Sequence, residues 1–124
     1  MKAYGKKTWL IADNYLNSVS LNDWNSHEAV CVLNTSDEDA KLDFTLFYED
    51  REPCRDFSSV CPAQRTPHVR LDRIRSADGK AIPTDLPYAM LIESNVPIVV
   101  QYSRLDTSHK EMALMTTIAY PVEE

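Results

Sequence analysis

Arg65, His68 and Arg70 are the side chains best suited by type and spacing to do chemistry. His68 and Arg70 stand two apart, so in an extended strand they share a face, opposite Val69 and Leu71, and Arg65 precedes them. Arginine offers a planar fork of donors that suits carboxylates and vicinal acceptors, and histidine changes charge near neutral pH. The strip suits an anionic or hydroxyl-rich ligand. The plainer alternative is a solvated strand face paired with Asp43, Glu49 or Asp72. Glu28 and Arg104 are outlying candidates for the same ligand, and Gln101, Ser103 and Asp106 add polar groups around Arg104. Trp24, beside a long Asn-bearing loop, offers a stacking surface for a sugar ring, with Trp9 and Tyr15 as further aromatics.

Catalytic constellations are missing from the sequence. His27, His68 and His109 are far apart, with no His-x-His, His-Glu-x-x-His or Cys-x-x-Cys spacing for a metal. No Gly-x-Ser-x-Gly supplies a serine nucleophile. His27 and Glu28 could handle a proton, but adjacent strand residues face opposite sides and cannot readily serve one substrate. A non-enzymatic protein without cofactor or metal is expected.

Strands carry these residues. Apolar residues alternate at period 2, and no segment keeps a long 3.6-residue period. The pattern predicts about eight strands: 8–12, 27–34, 41–49, 56–60, 66–74, 88–93, 97–105 and 113–120. In 41–49, Leu42, Phe44, Leu46 and Tyr48 share one face, with Asp43, Thr45 and Glu49 opposite. Pro67 and Pro97 fall at predicted strand starts, where a missing donor is tolerated. Two long connections, 13–26 and 76–87, are candidates for function, and 108–112 for one helical turn. Without helices for parallel crossovers, the fold expected is an all-β antiparallel sandwich or barrel.

With 124 residues the chain reads as one domain over 1–124, long enough to bury a core without a disulfide or metal staple. Thirteen Lys+Arg against nineteen Asp+Glu leave a net charge of -6. Charge therefore does not suggest DNA or RNA as a partner, and leaves only a local basic strip as a route to it. Apolar runs such as Ala29 to Leu33 and Val96 to Val100 span five residues, against about 20 for a membrane helix, so no membrane insertion is expected. Lys2, Lys6 and Lys7 lack an apolar stretch behind them, which points to a reducing cytoplasm. Cys31 reads as a small buried hydrophobe, and Cys54 and Cys61 could approach each other across a hairpin.

Ordered strings along the chain resemble the sensory rhodopsin transducer family. They include Ser26-His27-Glu28, Val30-Cys31-Val32-Leu33-Asn34, Asp37-Glu38-Asp39-Ala40, Asp50-Arg51-Glu52-Pro53 and Arg65-Thr66-Pro67-His68-Val69-Arg70. Glu93-Ser94-Asn95-Val96-Pro97-Ile98-Val99-Val100-Gln101, Arg104-Leu105-Asp106 and Thr116-Thr117-Ile118-Ala119-Tyr120 continue the match in one register. The resemblance implies a jelly-roll-like β-sandwich that forms a homotetramer and signals through protein contacts, with a rhodopsin-like membrane receptor as partner. A small-molecule or carbohydrate ligand is the alternative it leaves open. Two loops depart from the family pattern: Asn14-Tyr15-Leu16-Asn17 replaces a Gly-Tyr-Ile-Pro, and Cys54-Arg55-Asp56 replaces a Gly-Pro turn. The sequence speaks for assembly beside the resemblance. Ala29 to Leu33, Val96 to Val100 and Met112 to Met115 are apolar on consecutive residues. Their outward side chains, Val30 and Val32 or Val99 and Leu105, would leave an apolar patch that a closed ring of subunits would cover.

Overall fold

Alternation along the chain resolves into eight antiparallel strands in a computed structural model that describes residues 1–21 and 23–123. They are β1 (Lys6–Asn14), β2 (His27–Leu33), β3 (Ala40–Phe47), β4 (Cys54–Cys61), β5 (His68–Arg70), β6 (Tyr88–Asp106), β7 (Ala113–Ile118) and β8 (Tyr120–Pro121). One layer runs β4-β3-β6-β1-β8, and the other sets β5 on β2, β2 on β6, and β7 on the far side of β6. The sheet does not close into a barrel, so the fold is an all-β sandwich whose layers share one long strand.

That shared strand merges two of the predicted ones. Through its 19 residues, β6 keeps a single phase, with Tyr88, Met90, Ile92, Val96, Ile98, Val100 and Tyr102 all buried. Its first part pairs with β1 and β3, and from Val99 onward it pairs with β2 and β7. Residues 95–97 lie outside every ladder. Pro97 therefore sits mid-strand without breaking a ladder bond, because it falls where the partners change. Gly5 belongs to the same junction. Its φ is +109°, and a Cβ there would lie 1.8 Å from the Ile98 carbonyl oxygen, just ahead of the irregularity between Lys6 and Thr8.

The core joins Trp9 and Ile11 of β1, Val30 and Val32 of β2, Leu42, Phe44 and Leu46 of β3, and the inward residues of β6. Val30 and Val32 are thus inward, which corrects the expectation that they form an outward patch. Strand β2 is inverted relative to it: Glu28, Val30 and Val32 are buried, while Cys31 is half-buried and Leu33 exposed. Val99 and Leu105 are half-buried. The run at 113–115 does behave as expected, exposed on both faces.

Other boundaries moved for local reasons. The strand predicted over 66–74 shrinks to His68–Arg70, because Arg73 and Ile74 turn back to donate to the Arg70 carbonyl. Residues 108–111 form a bend, not a helical turn, held at its start by Asp106 accepting from the Ser108 amide and hydroxyl. Ala119 separates β7 from β8 as the chain passes from the edge of one layer to the edge of the other. The described residues contain no helix long and apolar enough to cross a membrane.

Candidate functional site

The most unusual side chain in the molecule is Glu28, a carboxylate with 0% exposure at the inward-facing start of β2. The strand pairing places it opposite Arg104 of β6. Around its two oxygens stand three donors: the Tyr88 hydroxyl at 2.7 Å, the Tyr15 amide at 2.8 Å and the Tyr102 hydroxyl. Both phenols come from inward positions of β6, one near each end of the strand. The nearest Arg104 nitrogen lies 3.8 Å from Glu28 Oε2. Arg104 also donates to the Tyr102 hydroxyl at 3.0 Å and to the Asp13 carbonyl at 3.0 Å. One carboxyl thus ties the end of β1 and the loop after it to both halves of β6.

Burial pushes the Glu28 carboxyl above its ordinary value, and the Tyr88 hydroxyl, the Tyr15 amide, Arg104 and Asn14 each pull it part of the way back. Burial raises Tyr88 far above the usual phenol range, and the neighbouring carboxylate adds to that. Tyr88 therefore stays a donor at every physiological pH. The Asn14 amide is also fully buried beside Glu28, and neither of its polar atoms reaches hydrogen-bonding geometry with a protein partner. Chemically the cluster is a hydroxyl-ringed carboxyl that can hold a proton inside the sandwich.

The residues ranked first from sequence do not join it. His68 and Arg70 share the outer face of β5, opposite Cys31 and Ala29 of β2, so the predicted alternation holds. Arg70 is spent on Asp72 in a two-pronged pair at 2.8 Å through each nitrogen, the plainer of the two readings. Arg65 is exposed, and its guanidinium folds back on the Gln64 carbonyl at 3.1 Å. His68 instead shares a shallow cleft of about 220 Å³ with Cys31, Thr66, Val99 and Gln101. Trp24 is 65% exposed in a loop anchored by its carbonyl accepting from Thr107 and by Ser26 meeting Thr107. Glu28 and Arg104, the outlying candidates, are the two that the fold brings together.

Tyr88, Tyr102 and Asn14 were missed. A signal existed, since a phenol at an inward strand position needs a buried acceptor, and Glu28 is the inward carboxylate of the neighbouring strand. His27 lies outward, its Nδ1 2.8 Å from the Asn25 carbonyl oxygen, so the two neighbours do face opposite sides. The cysteine expectations need correction. Cys31 faces outward and is half-buried, with its sulfur 3.4 Å from the Ser103 hydroxyl. Cys54 and Cys61 end the same strand, about 23 Å apart at the rise of an extended chain, so they do not meet across a hairpin. All three are free thiols.

The sequence model of the Anabaena sensory rhodopsin transducer family matches residues 4–121. The chain belongs to that family. Among solved structures, the Thermotoga maritima protein 1070 is 37% identical, covers 96% of this chain and 97% of its own, and superposes with a TM-score of 0.86. The Anabaena sensory rhodopsin transducer is 40% identical over 86% of this chain and 91% of its own, with a TM-score of 0.72. No curated protein matches.

Proposed function

We propose that this protein is a non-enzymatic cytoplasmic relay that takes its signal from a rhodopsin-type receptor and acts through protein contacts as a homotetramer. The observation that carries the reading is the family match across residues 4–121, accompanied by 40% identity to a sensory rhodopsin transducer. Assembly draws further support from the apolar side chains left uncovered on β7. The test is a titration of the protein into lipid nanodiscs carrying a sensory rhodopsin, followed by calorimetry. Saturable binding supports the relay; no heat and no co-migration with the nanodisc overturns it.

A small-molecule or sugar-binding module is the second reading, favoured by the cleft against His68 and Gln101. It ranks second because that cleft is smaller than the roughly 300 Å³ at which small-molecule pockets begin, and Arg70 is already engaged by Asp72. A thermal-shift screen against sugars and sugar acids decides it. A ligand at 100 times its dissociation constant stabilises by about 2.7 kcal/mol, which is readily seen.

A further inference from the structure

We infer that β7, by both its faces and its free edge, is the surface through which this chain binds a second copy of itself. The inference rests on the self-assembly proposed above and names the surface responsible.

All six residues of β7 are exposed, with Leu114 at 74%, Ile118 at 59% and Met115 at 41%. A sandwich strand ordinarily covers its inner row against the opposite layer. Here the inner row does not. Met115 and Thr117 line an open groove of about 300 Å³ whose other walls include Ile11, Tyr102 and Tyr120. The outer row, Leu114 and Ile118, is equally bare.

The sandwich ends in four edge strands, and three are blunted by ordinary means. Strand β4 carries exposed Arg55 and Asp56. Strand β5 is three residues long and follows Pro67, and β8 is two residues long and contains Pro121. Strand β7 has the sequence Ala-Leu-Met-Thr-Thr-Ile, with no charge and no proline, and among the described residues it pairs only with β6. Left open, such an edge is an aggregation hazard. Its protection must come from outside the chain.

Area and charge both favour a second copy as the occupant. The isolated chain exposes 7404 Å². A monomer of this mass exposes about 6,800 Å², so roughly 600 Å² is in surplus, close to the ~800 Å² each partner buries in a standard interface. Two chains of net charge -6 repel except where they meet through neutral surface, and β7 is neutral and apolar. A charged peptide or nucleic acid finds no complement on it.

The experiment is light scattering coupled to gel filtration on the full chain, wild type and two variants, Leu114→Glu and Ile118→Lys. Both side chains are exposed, so circular dichroism should report a native fold for each variant. The expected result is a wild-type mass several times 14.2 kDa that falls by at least half in both variants. If the wild type assembles and either folded variant keeps its mass, the surface is wrongly named and the self-assembly reading stands. If the wild type itself weighs 14.2 kDa, the self-assembly reading fails first. Hydrogen exchange gives a second readout independent of any variant: amides 113–118 should be protected in the assembled wild type, and fast exchange there overturns the inference.

Discussion

Replacing Glu28 tests the buried cluster in two ways, by truncation and by neutralisation. Glu28→Ala removes the acceptor of the Tyr88 and Tyr102 hydroxyls and of the Tyr15 amide, and leaves Arg104 only the exposed Asp13 carboxylate, 3.6 Å away, as an ion-pair partner. Each buried donor left without a partner costs about 1–3 kcal/mol, and breaking a buried ion pair from one side costs about 3–5. Relief of the desolvation of Glu28 itself offsets part of this. The net loss expected is therefore about 3–5 kcal/mol, which for a chain of this length lowers Tm by roughly 10–20 °C. Glu28→Gln keeps the volume and one acceptor oxygen, so its loss at pH 7 should stay under about 1.5 kcal/mol.

The two replacements also separate packing from ionisation. Burial holds the Glu28 carboxyl above its ordinary 4.5, so the native state binds that proton more tightly than the unfolded chain does. For such a group stability is fullest below 4.5 and is lost as pH rises toward the native value. Urea unfolding followed by circular dichroism, run from acid to neutral pH, should show the wild type gaining on Glu28→Gln as pH falls. Other carboxylates cancel in that difference. A difference that stays flat across the range, or a Glu28→Ala variant that melts within 3 °C of wild type, would refute the description of Glu28 as a buried carboxyl joining three segments.

Three further outcomes are expected. Asn34 is fully buried, its amide donates to the Glu38, Cys61 and Pro62 carbonyls, and its oxygen accepts from the Ser36 amide and hydroxyl. Asn34→Ala should cost about 2–4 kcal/mol by urea unfolding, and a loss below 1 would show the turn holds without it. Gly5→Ala should lower Tm by more than Gly79→Ala, since a Cβ at Gly5 strikes the Ile98 carbonyl whereas Gly79 has open space around it. A thiol reagent should label Cys31 and Cys54 in the native protein and reach Cys61 only after unfolding, because Cys61 is fully buried and burial raises its thiol.

Much of the fold was legible in the sequence because alternation is a local signal. Leu42, Phe44 and Leu46 declared their buried face, and His68 and Arg70 their shared outer one. What alternation cannot give is which face is inside when both are apolar. In β2 the choice fell on Val30 and Val32, settled by their pairing with inward Tyr102 and Val100 across the ladder. Nor could it show that two predicted strands are one, since Pro97 reads locally as a boundary and only the change of partners explains its tolerance. The cluster at Glu28 was half legible. Glu28 and Arg104 were visible as charges, but their meeting depends on a register 76 residues apart in sequence, along with the depth at which Tyr88 and Tyr102 reach them. The strip of Arg65, His68 and Arg70 is legible because its residues cluster along the chain, whereas the Glu28 cluster forms only across strands.

The proposed relay role is tested most directly by affinity for a sensory rhodopsin in its two states. A relay can respond only by binding those states differently. The protein should be titrated into nanodiscs carrying a sensory rhodopsin, once in the dark and once under continuous illumination. Dissociation constants that differ by about tenfold or more, equivalent to roughly 1.4 kcal/mol, are expected. Equal affinity in the two states, or binding in neither, would overturn the relay.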